Sequence, residues 1–188
     1  MNSIEKARSI SIWIFIVPFV AVNSCLILVT QFHGVFESEA DRLYNTIPYI
    51  DGGASISRTA RPFTSWLIFK PAMFLTSFLL IKYWLLNRDI IKYFQSDHKN
   101  LKKIVFFGIA SAVALTIHSI FLGIKFDNDL YKLFRRVVML SFIVFEIVAQ
   151  AYLVATFFSF RNKLKIYINP MILNIKIALV SLLILVAI

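Results

Sequence analysis

Five long apolar runs constrain the fold of this chain more than any other feature of its sequence. Hydrophobic residues make up 59% of the 188 positions, and charged residues only 16%. A helix needs about 20 mostly apolar residues to span a bilayer, because it rises about 1.5 Å per residue and the hydrocarbon core is about 30 Å thick. The sequence therefore predicts an all-α, polytopic transmembrane helical bundle that forms a single domain over residues 1–188. The predicted spanning helices are 9–32, 63–86, 104–124, 137–160 and 170–188.

The placement of charge indicates membrane partners rather than nucleic acid. The formal net charge is +10, which taken alone would suit a nucleic-acid-binding protein. The basic residues, however, cluster at the ends of the apolar runs, where membrane proteins carry their cytoplasmic Lys and Arg. We therefore expect membrane lipids or another membrane protein as partners, and no nucleic acid.

The same basic residues predict an orientation for this integral membrane protein. With the N-terminus in the cytoplasm, the cytoplasmic segments hold 10 Lys and Arg residues and the opposite segments hold 7. The 10 cytoplasmic residues lie in segments 1–8, 88–103 and 161–165. This bias has the sign of the positive-inside rule. We therefore predict a cytoplasmic N-terminus and an outer location for the loop of residues 33–62.

No arrangement of residues in the sequence indicates catalysis or metal binding. Cys25 is the single cysteine and lies within the first apolar run, and the three histidines are far apart. This set does not make a zinc site. The sequence also lacks a nucleophile elbow, a Gly-rich phosphate loop and a paired-carboxylate arrangement. We therefore expect no cofactor and no metal, and the sequence does not indicate an enzyme.

The first loop, residues 33–62, holds most of the turn chemistry of the chain. Pro48 disfavours helical geometry at the preceding residue, and Asp51-Gly52-Gly53 is typical of a turn. Apolar side chains stand among these polar neighbours, although a fully solvated loop would not need them. We expect the loop to be ordered and to cover the helix ends with these side chains. They are Ile47, Tyr49, Ile50 and Ile56.

The segment Ile47-Pro48-Tyr49-Ile50-Asp51-Gly52-Gly53 resembles a signature of the Frag/DRAM/Sfk family of multi-pass membrane proteins. In that family a first helix leads into a luminal or extracellular loop with a Pro-Tyr-Ile-Ser-like sequence, and a second helix follows. The resemblance covers about residues 10–86, with Asp51 in place of the family's Ser. The family usually has six helices, whereas this chain has five apolar runs.

This resemblance implies a non-enzymatic membrane protein. Members of the family act in autophagy control, lipid-anchor remodelling or lipid-kinase recruitment. We take the polar and turn residues of the loop, together with two arginines that follow them, as a candidate outer-loop motif. Its residues are Pro48, Tyr49, Ile50, Asp51, Gly52, Gly53, Arg58 and Arg61.

Three ionisable residues, Lys70, His118 and Glu146, lie inside apolar runs. Such residues are costly in hydrocarbon, at about 2.5–3.5 kcal/mol for Asp, Lys or Arg on insertion scales, and are candidates for function. Counted from the ends of the runs, all three are expected in the outer half of the membrane at overlapping depths. Gln150 follows Glu146 by one helical turn and shares its face. Either these residues form a polar pocket for a lipid headgroup, an ion or a proton relay, or Glu146 pairs with Lys70 or His118 and only fixes helix packing.

These patterns leave two functions open. The leading interpretation is a non-catalytic integral membrane protein that engages lipid or a partner protein through its outer loop and helical bundle. The alternative is a small ion-coupled transporter or carrier that uses Lys70, His118 and Glu146. A carrier should lose activity with Glu146→Gln, whereas a lipid- or partner-binding protein should tolerate that change.

Overall fold

The computed structural model describes residues 2–36, 38–44, 46–47, 49–50, 53–124 and 128–187. Within these ranges the secondary structure is helical and contains no strand. The α-helices are, in chain order, α1 (Asn2–Gln31), α2 (Ile56–Thr59), α3 (Phe63–Phe94), α4 (Leu101–Phe121), α5 (Asp129–Ser159), α6 (Arg161–Leu164) and α7 (Pro170–Ala187). Pro48, Asp51 and Gly52 of the outer-loop motif lie outside the described residues.

Four of the described helices, α1, α3, α4 and α5, are long and apolar enough to cross a membrane. Between 17% and 39% of the residues in their most apolar windows are buried inside the bundle, so most of these residues keep some surface that the rest of the chain does not cover. A helix on the surface of a soluble protein instead exposes a polar face. The composition of these helices therefore indicates a membrane location. The predicted helical bundle is confirmed, but α7 is shorter than these four helices and the predicted number of five spans is not confirmed.

Several helices extend beyond the apolar runs into polar sequence. α1 begins at Asn2, α3 continues to Phe94 and α5 begins at Asp129. A polar residue ends an apolar run but does not end a helix, because a helix satisfies its own backbone hydrogen bonds in lipid and in water alike. The start of α5 is capped by Asn128, whose side-chain oxygen accepts a hydrogen bond of 2.9 Å from the backbone N–H of Leu130.

Consecutive long helices pack against one another, in the order α1, α3, α4, α5 and α7. The Cys25 thiol of α1 donates to the backbone carbonyl of Ser65 in α3 over 3.3 Å, so the end of α1 lies beside the start of α3. Gly108 of α4 lies against the buried ring of Trp84 in α3, where a Cβ would be 2.3 Å from a ring atom. We call the end of the bundle that carries residues 33–62 the loop end, and the end that carries the start of α1 the N-terminal end.

The first loop folds back on α1, but not through the side chains that the sequence suggested. Phe36 and Leu43 are buried beside Val29, and the N–H of Leu43 donates to the carbonyl of Val29 over 3.1 Å. These residues follow α1 most closely along the chain, so they close the shortest loops onto it. The expectation for the other apolar side chains was wrong, since each is between 53% and 79% exposed: Ile47, Tyr49, Ile50 and Ile56.

Tyr49 still connects the exposed part of the loop to α1. Its backbone has a φ of 67°, which lies in the left-handed region that few non-glycine residues adopt. Its hydroxyl donates to the side-chain oxygen of Asn23 in α1. The described part of the loop is therefore attached to α1 both near its start and at its apolar segment.

An aromatic cluster joins α3 to the link before α7 at the N-terminal end. The ring of Phe94 lies 6.1 Å from Phe160 and 6.1 Å from Tyr167, measured between centroids. A hydrogen bond that the Tyr167 hydroxyl donates to Tyr93 favours the neutral phenol and raises the pKa of Tyr167 above its ordinary value. These contacts hold the chain between α5 and α7 against the end of α3.

Candidate functional site

Lys70 lies near the loop end of the bundle. Its ammonium donates to the backbone carbonyl of Ile120 over 3.2 Å and stands 4.3 Å from the centroid of the Trp66 ring. α4 ends at Phe121, so this carbonyl belongs to the last turn, whose C=O groups have no partner within the helix. The helix dipole also favours a cation at that position. Lys70 therefore caps α4 from the neighbouring helix.

Glu146 lies deeper, between α4 and α5. Its Oε2 accepts a hydrogen bond of 2.7 Å from the hydroxyl of Ser111, and its Oε1 accepts one of 2.9 Å from the amide of Gln150. Ser111 is fully buried, and its hydroxyl also lies 2.8 Å from the carbonyl of Gly108. Glu146 and Gln150 thus share a helix face that packs on α4, and the partners of this carboxyl group are uncharged.

The structure does not bring Lys70, His118 and Glu146 together. Ser111 lies opposite Glu146, and His118 follows Ser111 along α4 by two helical turns, or about 10 Å. Lys70 reaches α4 still closer to its end, at Ile120. Neither Lys70 nor His118 is a partner of Glu146, which forms no ion pair with any described residue. The sequence predicted similar depths for the three residues because these depths were counted from the ends of the apolar runs. That count was wrong for Glu146, since α5 begins well before its apolar run.

Basic side chains from several elements lie at the loop end, in a set that we call the basic cluster. Partial burial, together with the positive charges of Arg135 and Arg58, lowers the pKa of Arg61. Arg61 nevertheless stays protonated, since arginine does not lose its proton in proteins. His118 belongs to the last turn of α4, as does Ile120, whose carbonyl accepts from Lys70. The basic cluster consists of Arg58, Arg61, Lys70, His118 and Arg135.

Gly123 allows the elements of the basic cluster to approach one another. Its φ of +87° is in the left-handed region that glycine adopts without strain, and it follows the end of α4. A Cβ at this position would lie 3.3 Å from the carbonyl of Arg61 and 3.6 Å from the ring of Trp66. The segment before α3 therefore closes directly over the end of α4, with Trp66 between Gly123 and Lys70.

Two buried nitrogens of the basic cluster have no hydrogen-bond partner. They are Nδ1 of His118 and Nε of Arg135. Buried polar groups are satisfied in the great majority of cases, so a hydrogen-bonding ligand that binds here would stabilise both atoms. In the part of the chain that the structure describes, no carboxylate forms an ion pair with the cluster. Guanidinium groups bind planar or tetrahedral oxyanions most strongly, through paired charge-assisted hydrogen bonds.

Comparison with known proteins gives no assignment. No protein family, curated protein or solved structure matches this chain. In the described residues, no group of three or more His, Cys, Asp or Glu side chains could hold a metal ion. Function is therefore inferred from the side chains themselves.

Sequence reasoning singled out most of the basic cluster but missed Arg135. Lys70 and His118 stood out as ionisable groups in apolar runs, and Arg58 and Arg61 as part of the outer-loop motif. Arg135 was assigned to a polar link, whereas it belongs to the second turn of α5. The N-cap pattern at Asn128 predicts a helix that starts there and includes Arg135. With that helix start, the sequence would have placed Arg135 in the bundle. The remaining described motif residues, Tyr49, Ile50 and Gly53, are exposed.

Proposed function

We propose that this chain is a non-catalytic integral membrane protein that binds the phosphate of an anionic lipid at its basic cluster. The cluster includes residues of the first loop and of the bundle, so both parts take part in binding. One observation carries this proposal: the cluster combines positive charge with two buried nitrogens that lack a hydrogen-bond partner. A phosphate supplies several acceptor oxygens and a negative charge at once.

The surroundings of the basic cluster favour a lipid over a free anion. Trp66 stands beside Lys70, and tryptophan is enriched where helices meet the headgroup region. The first loop also exposes Ile47, Tyr49 and Ile50, which suit the boundary between headgroups and hydrocarbon. A lipid can therefore satisfy the cations with its phosphate while its chains lie along the apolar outer faces of the helices.

We also propose the number of membrane spans and the orientation of the chain. α7 has 18 residues and is about 27 Å long, which nearly matches the hydrocarbon thickness of about 30 Å. We take it as the fifth span, with the N-terminus of α1 in the cytoplasm and the loop end outside. The resemblance of the loop to the Frag/DRAM/Sfk family agrees with a non-enzymatic role that is directed at lipid or at a membrane protein partner.

The transporter alternative is less well supported by the geometry. A carrier that couples Lys70, His118 and Glu146 needs them in one site, whereas Glu146 lies about two helical turns deeper than His118. The hydrogen bonds of Glu146 join two helices, which is a packing role. Glu146→Gln should therefore leave lipid binding intact, whereas a carrier should lose transport.

Lipid binding by arginine variants tests the proposal directly. The purified protein is titrated with phosphatidylglycerol or phosphatidylcholine in detergent, and bound lipid is counted by native mass spectrometry. Arg61→Gln and Arg135→Gln should each weaken phosphatidylglycerol binding by at least about tenfold, because a hydrogen bond to a charged group contributes about 1.5–3 kcal/mol. Phosphatidylcholine binding should change little.

Arg136→Gln is the matched control, since Arg136 is the exposed neighbour of Arg135 on α5 and lies outside the basic cluster. It removes the same charge and should leave phosphatidylglycerol binding within about twofold of the original. An equal loss in all three variants would mean that only net charge matters. Unchanged binding in Arg61→Gln and Arg135→Gln would refute the site.

A further inference from the structure

A second candidate site lies at the opposite, N-terminal end of the bundle, where α5 ends and α7 begins. It is a cleft of about 310 Å³, a volume at the lower end of small-molecule sites. Its lining combines the polar side chains of Arg161, Lys165 and Asn174 with apolar side chains that include Phe158, Ile168 and Leu173.

The two cations of this cleft lie one helical turn apart. The N–H of Lys165 donates to the carbonyl of Arg161 over 3.1 Å, so helical spacing continues through both residues. Residues four apart on a helical turn share a face. The Arg161 guanidinium stands 5.0 Å from the centroid of the Phe158 ring, and both residues line the cleft. Neither cation forms an ion pair within the described ranges.

Beyond the cleft, α7 exposes apolar side chains. Met171, Ile172, Ile175 and Leu179 are between 48% and 66% exposed, and this helix carries few polar residues. Asn174, which lines the cleft, is an exception. A polar amide on an apolar helix is costly unless it meets headgroups or the polar part of a ligand. A molecule with a polar head and a long apolar tail could place its head at the polar side chains of the cleft and its tail along the apolar side chains of α7.

The cleft is supported by packed elements rather than by a loose terminus. The Lys176 ammonium of α7 donates to the Tyr83 hydroxyl of α3 over 2.9 Å. Leu173 and Ile168 pack against the main hydrophobic core. The side of the cleft formed by α7 and the link before it is thus held by contacts that do not depend on a ligand.

We infer that this cleft binds an anionic phospholipid, with its phosphate between Arg161 and Lys165, its glycerol esters at Asn174 and its acyl chains along α7. A free phosphate would satisfy the cations but leave the apolar walls empty. A neutral lipid would fill the walls but leave both cations without an anion. In the proposed orientation this end faces the cytoplasm, where the leaflet is rich in anionic lipid. The site does not depend on the basic cluster at the loop end.

Cysteine modification in nanodiscs gives a local test. Cys25 is fully buried and therefore contributes little background reaction. Ile168→Cys introduces a second thiol, in the lining of the cleft. Its rate of reaction with a maleimide is measured in phosphatidylcholine discs with and without phosphatidylglycerol. When phosphatidylglycerol exceeds its Kd about tenfold, mass action leaves roughly one site in eleven free, so the rate should fall about tenfold. Ile166→Cys, which is 80% exposed and outside the cleft, should react at an unchanged rate.

Charge variants complete the test. Arg161→Gln with Lys165→Gln should abolish the protection of the Ile168→Cys thiol. Lys163→Gln removes a cation from the same link but not from this cleft, and should retain the protection. Arg135→Gln at the loop end should also retain it, which separates this inference from the proposed function. Thermal unfolding in phosphatidylcholine discs checks that each variant is folded.

Four outcomes would overturn the inference. The first is that phosphatidylglycerol protects the Ile166→Cys and Ile168→Cys thiols equally. The second and third are that protection of the Ile168→Cys thiol survives the Arg161→Gln and Lys165→Gln changes, or is lost equally with Lys163→Gln. The fourth is that inorganic phosphate protects this thiol in discs of phosphatidylcholine alone. The last outcome would identify an anion site that needs no lipid. Native mass spectrometry offers an independent readout without cysteines, in which the double glutamine variant should retain one phosphatidylglycerol fewer.

Discussion

Glu146 illustrates how a single acidic residue fits inside an apolar bundle without a countercharge. Its oxygens accept hydrogen bonds from the Ser111 hydroxyl and the Gln150 amide. The bond to Ser111 joins α5 to α4, and the bond to Gln150 orients the side chain along its own helix. Buried groups cost the least free energy when their hydrogen bonds are satisfied, and both oxygens of Glu146 meet this condition.

Replacing Glu146 with Ala and with Gln should separate hydrogen bonding from charge. Glu146→Ala removes both acceptors and leaves the Gln150 amide unsatisfied, so the free energy of unfolding should fall by about 1–3 kcal/mol. Glu146→Gln keeps a carbonyl that accepts from Gln150 and gains an amide that donates to the Ser111 hydroxyl. Its stability should stay close to the original in thermal unfolding in detergent.

Lys70→Met provides the control for the ion pair that the sequence suggested. Because Lys70 bonds to Ile120 and not to Glu146, the effects of Lys70→Met and Glu146→Ala should add to within about 0.5 kcal/mol. A larger coupling energy in the double variant would show that the two side chains interact, against the arrangement described above.

At the scale of helices, the contact between α3 and α4 depends on Gly108. Gly108→Ala would place a Cβ 2.3 Å from the Trp84 ring, and Trp84 is fully buried and cannot move aside freely. Overpacking of this kind costs about 1–3 kcal/mol or more, which exceeds the helix-propensity gain of about 1 kcal/mol for Ala over Gly. The melting temperature in detergent should therefore fall.

Gly34→Ala is the matched control, because a Cβ at Gly34 would meet nothing within 4 Å. Its melting temperature should remain close to that of the original chain. If Gly108→Ala were as stable as Gly34→Ala, α4 could not lie against Trp84 as closely as described.

Hydropathy predicted the helices well because the length and apolar content of a span are set by the bilayer. The helix ends were predicted less well. α3 and α5 extend through polar residues, because backbone hydrogen bonding does not stop where the side chains become polar. The relative depth of residues on two helices depends on those ends. For this reason the sequence identified Glu146 and His118 as candidates but did not show how far apart they lie.

The two candidate sites differ in how much of each was visible in the sequence. Four members of the basic cluster were singled out by their residue type and position, and only Arg135 was missed. The cleft at the N-terminal end was not predicted. Arg161 and Lys165 were counted as basic residues of a link, and only the helical turn α6 aligns them on one face. Tertiary placement of a short link is not encoded in hydropathy.

At the scale of the whole molecule, cations lie at both ends of the bundle. The sequence places 10 Lys and Arg residues on the predicted cytoplasmic side and 7 on the other. In the proposed topology, the two candidate sites lie at the depth of lipid headgroups, one in each leaflet. Their assignment to leaflets depends on the orientation of the chain, which charge bias predicts and labelling can measure.

Cysteines on either side of α3 should determine this orientation. Ser55 precedes α3 and Lys99 follows it, and both are exposed, while the native Cys25 is fully buried and gives little background. Because positive residues favour the cytoplasm, Ser55→Cys should react with an impermeant maleimide from outside intact cells. Lys99→Cys should react only after permeabilisation.

The reverse pattern would invert the topology and exchange the leaflets of the two sites. Equal access of both cysteines from outside would show that α3 does not cross the membrane at all.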